Sequence, residues 1–200
     1  MNPPSEPSRL HLSARRRSGL ARKRQGMKPR LLWVLVLAVA GAVVCGGNAL
    51  ATPSSAFTGV TTAKATYREF FSHVQAHDPQ FWTDVMRTVG ATDLYVQQNT
   101  WDPGACGGCI PSTGWHTHPG PSFVIVTQGS VTAYDGDDPA CTPHVYTAGT
   151  PSNAFVDPGG GHVHIIRDES GAVAKTVAVQ FIPAGATRRQ DAPDPGNCPF

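Results

Sequence analysis

The sequence predicts an all-β fold in which short antiparallel strands form one barrel or sandwich. Several short segments alternate apolar with polar side chains, and clusters of turn-forming residues separate them. The 200 residues include 21 glycines and 18 prolines, which favours many tight turns. No strong helical pattern lies between the strand candidates, so a parallel α/β fold is disfavoured.

Residues 1–51 are predicted to precede this fold. Residues 31–44 are apolar and uncharged, basic residues stand before them, and residues 49–51 (Ala-Leu-Ala) have the small-x-small form of a signal-peptidase site. This order predicts a secretory signal peptide that is cleaved after Ala51. An uncleaved membrane anchor is the alternative, because residues 31–50 reach the ~20 residues that span a bilayer. Either reading places the rest of the chain outside the cytoplasm, secreted or in the cell envelope.

Charge is divided unevenly along the chain. Nine of the 16 lysines and arginines lie in residues 1–51, where Glu6 is the only acid. Residues 52–200 therefore keep seven bases against 13 acids. A nucleic-acid-binding domain needs a basic surface, so this acidic part of the chain is not expected to bind nucleic acid. Contact with a membrane is expected only through residues 31–50, and only if they are not removed.

Residues 52–89 are predicted to form a linker, a first strand and an irregular stretch with a short helix. The run 60–66 is rich in β-branched residues and is the strand candidate. After it, Phe70, Phe71 and Val74 have the spacing of one helical face, and Pro79 interrupts that pattern.

One barrel is predicted over residues 90–183. Its strands are expected at 93–101, 115–118, 123–127, 131–134, 145–147, 154–156, 163–167 and 172–182. Gly129 and the Asp135-Gly136 pair are turn signals between consecutive strands. Residues 184–200 then form a C-terminal tail.

Four cysteines follow residue 51, namely Cys106, Cys109, Cys141 and Cys198. An even number in an exported domain predicts two disulfides, and four cysteines allow three pairings. If Cys106 closes on Cys109, the remaining pair ties the tail to the loop before Cys141. A redox-active Cys-x-x-Cys is the alternative for the first pair. Such motifs usually begin a helix, whereas proline, glycine and serine surround this one.

Two His-x-His pairs carry the strongest chemical signal of the chain. They are His116 with His118, and His162 with His164. Side chains two apart on a strand share one face, so each pair presents both rings to the same side. On neighbouring strands that face one interior, the pairs would bring up to four imidazoles together, and imidazole is a common transition-metal ligand. A polar core or a metal-free ligand pocket is the alternative interpretation.

The same residues resemble the two motifs of the cupin superfamily, which are small β-barrels of jelly-roll type. The first motif is matched by Gly114, His116, His118 and Gly129. The second motif is matched by Gly149, Pro158, Gly160 and His164, with Asp168 where the family commonly has asparagine. The resemblance covers roughly residues 90–183. It implies a single cupin jelly-roll barrel, preceded by the short irregular or helical segment.

The acidic ligand of the cupin motif is missing from its usual place, which falls near Ser122. The resemblance then implies a metal site of His116, His118 and His164. His162 is the alternative third ligand, a fourth ligand or a hydrogen-bonding neighbour. Imidazole ligands suit Fe, Ni, Cu or Zn better than Mg²⁺. Three neutral imidazoles leave the charge of a divalent ion uncompensated, which favours an anionic or chelating small-molecule ligand.

Ser122, Trp115 and Phe155 are the expected lining of the ligand pocket, with the barrel core as the alternative place for the two aromatic rings. Two functions follow. One is a metal-dependent enzyme, oxygenase-like or isomerase- or lyase-like, and the other is a binding or structural module without turnover. The fold does not choose between them. A homodimer that pairs through an edge strand is expected as well.

Overall fold

A computed structural model of the protein describes residues 51–200. Its strands are β1 (Phe57–Tyr67), β2 (Phe71–Ala76), β3 (Trp82–Arg87), β4 (Thr92–Trp101), β5 (His116–Thr117), β6 (Ser122–Gln128), β7 (Ser130–Asp135), β8 (His144–Thr147), β9 (Ala154–Asp157), β10 (His164–Arg167), β11 (Ala174–Pro183) and β12 (Gln190–Asp191). The predicted signal peptide or anchor lies outside the described residues. Within them, no helix has the length and apolarity needed to cross a membrane.

The strands from β4 to β11 form a jelly roll of two antiparallel sheets. Their orders are β4-β11-β6-β9 in one sheet and β5-β10-β7-β8 in the other. Eight strands shared between two sheets in this way are the arrangement of jelly rolls, cupins among them. β1 extends the first sheet beside β4, and β12 extends the second beside β5. The predicted all-β jelly-roll fold is thereby confirmed.

The predicted short helix after the first strand is wrong. β2 and β3 instead form a hairpin, in which Phe71 lies opposite Arg87 and Ala76 lies opposite Trp82. An amphipathic helix needs a surface that covers its apolar face, yet Phe71 and Val74 remain 65% and 48% exposed. Aromatic and β-branched residues on both sides of the turn favour local strand pairing.

Two groups of buried side chains lie on opposite faces of the second sheet. The group between the sheets consists of Trp101, Val126, Val131, Ala133, Ile166 and Ala174. The group on the other face consists of Trp115, Tyr134, Ile165, Ala192 and Cys198. Neighbouring residues on a strand point to opposite faces, so Ile166 lies in the first group and Ile165 in the second. His164 shares the inward face of Ile166.

The C-terminal tail covers the outer group. Cys141 is bonded to Cys198, and Cys106 is bonded to Cys109, which are the two disulfides expected. Next to the Cys141–Cys198 bridge, the side-chain amide of Asn197 donates hydrogen bonds to the backbone carbonyls of Asp135 (2.9 Å) and Asp138 (2.6 Å). Two disulfides are typical of proteins outside the cytoplasm.

Candidate metal centre

Three buried histidines converge inside the barrel. His116 begins β5, His118 follows that strand, and His164 begins β10 directly opposite His116. The ring centroids are 4.2 Å apart for His116 and His164, 4.9 Å for His116 and His118, and 5.5 Å for His118 and His164. One nitrogen of each ring lies within 4.8 Å of the others. This group could hold a metal ion.

Backbone carbonyls orient two of the three rings. Nδ1 of His116 lies 2.9 Å from the carbonyl oxygen of Gly114, and Nδ1 of His118 lies 2.8 Å from that of Arg188. An Nδ1–H that donates to a carbonyl leaves Nε2 with its lone pair, which is the form that ligates a metal. Gly114 has a φ of 69°, and a side chain there would overlap the carbonyl of Thr52. Glycine therefore permits the turn that supplies this acceptor.

Burial keeps all three rings neutral. Removal from water holds the pKa of His116 well below its usual range. The same cause lowers the pKa of His118 and of His164 to about 4. Near neutral pH, protons therefore do not compete with a metal ion for these nitrogens.

His162 does not join this triad. Its ring stacks beside that of His164 at 5.9 Å between centroids. Nδ1 of His162 lies 3.5 Å from Oδ1 of Asp157, and Nε2 lies 3.5 Å from Oδ1 of Asp135. Of the two candidates for the third ligand, the structure brings His164 to His116 and His118.

Asp157 is the site residue that the sequence analysis missed. It ends β9 and lies directly opposite Ser122 in the pairing of β6 with β9. The carboxylate is buried, and its Oδ2 lies 3.9 Å from Nε2 of His118. The cupin motif expects an acidic residue near Ser122 on β6. In this chain the acidic side chain next to the histidines comes from the adjacent strand, β9. Strand parity was the available signal, because Phe155 and Asp157 share one face of β9.

A cavity of about 280 Å³ opens beside the triad. Its polar lining includes Gln97, Asn99, Ser122, Thr176, Gln180, Arg188 and Arg189, and its apolar lining includes Trp101, Val124 and Phe155. Ser122 and Phe155, two of the three expected pocket residues, line this cavity.

Trp115 lies elsewhere, and its prediction as a pocket residue is corrected. It packs in the outer group with Tyr134 and Ile165, away from the cavity. The reason is strand parity, because Trp115 is the neighbour of an inward-facing histidine and so points to the opposite face.

Comparison with known proteins gives similarity at the level of fold. No family model matches the chain, and no curated protein matches it. A cupin superfamily protein from Desulfitobacterium hafniense is 10% identical, with a TM-score of 0.35 over 62% of this chain and 81% of its own. A cupin-like protein from Thermotoga maritima is 15% identical, with a TM-score of 0.38 over 53% and 79%.

An oxalate oxidase in complex with the substrate analogue glycolate is 17% identical, with a TM-score of 0.39 over 50% of this chain and 46% of its own. Cupin-superfamily proteins recur among the similar solved structures. The jelly-roll architecture itself rests on the order and register of the strands.

Proposed function

We propose that this protein binds one divalent transition-metal ion, Fe, Ni, Cu or Zn, through His116, His118 and His164, and holds a small organic anion beside it. The observation that carries the proposal is the convergence of three buried neutral imidazoles on one point. Nitrogen donors of this kind favour transition metals over Mg²⁺ and Ca²⁺. When bound, such an ion supplies Lewis-acid or oxygen-activating chemistry.

The guanidinium of Arg188, whose side-chain partners are uncharged, supports an anionic ligand in the cavity. Arg188 donates hydrogen bonds to the side-chain oxygens of Gln97 (2.6 Å) and Gln180 (2.9 Å), which hold its guanidinium at the cavity wall. Arg189 lines the same cavity. Guanidinium groups match the geometry of carboxylates, so a small carboxylic acid fits this polar end.

The opposite wall sets the size of the ligand. Trp101, Val124 and Phe155 contribute apolar surface, and the volume of about 280 Å³ lies at the lower end of small-molecule sites. These side chains exclude water from the ligand and leave room for a molecule of a few carbon atoms.

Export of the protein is part of the proposal. Its support comes from the predicted signal peptide and from the two disulfides, which persist in oxidising compartments.

A binding experiment with Arg188 tests the choice of ligand. Zinc-loaded protein is titrated by calorimetry with small carboxylates and with amides of the same size. We expect carboxylates to bind and amides not to bind. Arg188→Gln should weaken carboxylate binding about 10- to 100-fold, because it removes a charged hydrogen bond of about 1.5–3 kcal/mol. Metal content should not change, since His118 is held by the backbone carbonyl of residue 188.

Arg68→Gln is the matched control. Arg68 is an exposed arginine on the segment between β1 and β2, and it does not line the cavity. Its replacement should leave carboxylate binding unchanged. Equal binding of carboxylate and amide, or equal loss in the two variants, would reject an anion site at Arg188.

A further inference from the structure

A second group of potential ligands shares His164 with the triad. It consists of Asp157, His162 and His164, and one donor atom from each lies within 4.8 Å of the others. Oδ1 of Asp157 is 3.5 Å from Nδ1 of His162 and 3.6 Å from Nδ1 of His164. His164 can belong to both groups when each of its ring nitrogens binds one ion, which requires the imidazole to release its N–H proton to solvent and to bridge the two ions as an imidazolate.

Both ring nitrogens of this group lack a hydrogen-bond partner, whereas Oδ1 of Asp157 accepts one hydrogen bond from the backbone N–H of Gly159 (3.1 Å). Nδ1 of His162, Nδ1 of His164 and Oδ2 of Asp157 are buried without a hydrogen bond. The side chains of His164 and Asp157 are only 5% and 4% exposed. Unpartnered polar atoms are costly to bury, and separations of 3.5 and 3.6 Å are too long for good hydrogen bonds.

The same separations suit metal coordination. Ligand atoms at about 2.0–2.2 Å from a tetrahedral ion lie about 3.4 Å from one another. The site also carries negative charge, which the first triad does not supply. Asp157 is one ligand, and Asp135 and Asp137 place carboxylate oxygens 3.5 and 3.8 Å from Nε2 of His162.

A separate cavity gives access to this group. Its volume is about 290 Å³, and its lining includes Asp135, His144, Tyr146 and His162. Phe155, Asp157 and His164 line both cavities, so they form the wall between them. An ion can therefore reach His164 from this second cavity as well as from the first.

We propose that Asp157, His162 and His164 form a second site for a divalent transition metal, adjacent to the His116–His118–His164 triad and sharing His164 with it. Two nitrogens and one carboxylate favour Zn²⁺ or a similar ion over Ca²⁺. His162 is then the ligand that specifies the second site.

The test is the zinc stoichiometry of metal-free protein after saturation with Zn²⁺ and gel filtration, measured by mass spectrometry. The wild-type protein should retain two zinc ions per chain. His162→Gln should retain one, because the glutamine amide is a poor replacement for the imidazole nitrogen. His144→Gln is the matched control and should retain two, since His144 is exposed and lies 3.7 Å from Asp135 outside the group.

A second variant guards against misfolding. Asp157→Asn keeps an oxygen that can accept the hydrogen bond from the backbone N–H of Gly159 (3.1 Å), and it should also retain one zinc ion with unchanged circular dichroism. The His116→Ala/His118→Ala variant separates this proposal from the first site. It should retain one zinc ion, which a further His162→Gln removes. The second site is rejected if His162→Gln leaves zinc stoichiometry and affinity at the wild-type values.

Discussion

The three imidazoles of the triad make stability of the metal-free protein depend on pH. The pKa of His118 and of His164 is about 4 in the folded chain, and burial holds that of His116 well below 6.5. In the unfolded chain all three return to about 6.5. Between these values the unfolded state binds more protons than the native state, so the free energy of unfolding falls as pH falls.

Urea unfolding of the metal-free protein measures this effect. The midpoint should decrease continuously from about pH 7 to about pH 4.5, and the decrease should be shallower in His116→Ala/His118→Ala. His73→Gln is a control, because this exposed histidine lies on β2 outside the barrel. A midpoint that is independent of pH, or equal slopes in wild type and double variant, would contradict the account.

The sequence predicted the histidines of the site but not its buried carboxylate. The His-x-His spacing predicted that the two rings of each pair share one face, and the cupin resemblance singled out His116, His118 and His164. Asp157 was missed because the motif expects its acid on the strand of Ser122, while the pairing of β6 with β9 places it opposite. The choice of His164 over His162 depends on which residue begins β10. Sequence patterns do not predict the end of a strand to within one residue.

At the scale of elements, the β-rich segments bounded by turn-forming residues were the predictable ones. β4, β6, β7 and β11 lie close to their predicted ranges. The hairpin of β2 and β3 was not predictable in the same way. Its apolar residues stay largely exposed, so no burial pattern distinguishes strand from helix there.

The contribution of the Cys141–Cys198 disulfide to the free energy of unfolding can be measured. It closes a segment of 57 residues and holds the tail over the outer apolar group. Replacing both cysteines by serine should lower the free energy of unfolding by about 2–4 kcal/mol, mainly because the unfolded chain becomes less restricted.

The Cys106–Cys109 bridge provides the comparison, because it spans a separation of only three residues. Its double serine variant should lose less stability in the same guanidinium unfolding experiment. If the two pairs cost the same, or if removal of Cys141 and Cys198 costs nothing, the tail is held by other contacts.

At the scale of the whole molecule, the jelly roll brings distant segments to one interior. The triad joins residues from β5, the loop after it and β10, and Asp157 from β9 lines both cavities beside them. Turn signals and strand spacing predicted the all-β class, and the cupin resemblance implied the jelly roll. Separation of the interior into two cavities depends on side-chain packing, which sequence patterns do not predict. The expected homodimer and the cleavage of the leader stay predictions.

The metal content of the purified, disulfide-bonded protein is the most direct test of the central claim that His116, His118 and His164 form a metal centre. After incubation with Fe²⁺, Ni²⁺, Cu²⁺ and Zn²⁺ in turn, mass spectrometry should find at least one equivalent of metal per chain. His116→Ala/His118→Ala should bind one equivalent fewer, whereas the exposed pair His73→Ala/His77→Ala should match the wild type. The claim would be contradicted by a wild-type protein that retains none of these metals. It would also be contradicted by a His116→Ala/His118→Ala variant that binds as many equivalents as the wild type.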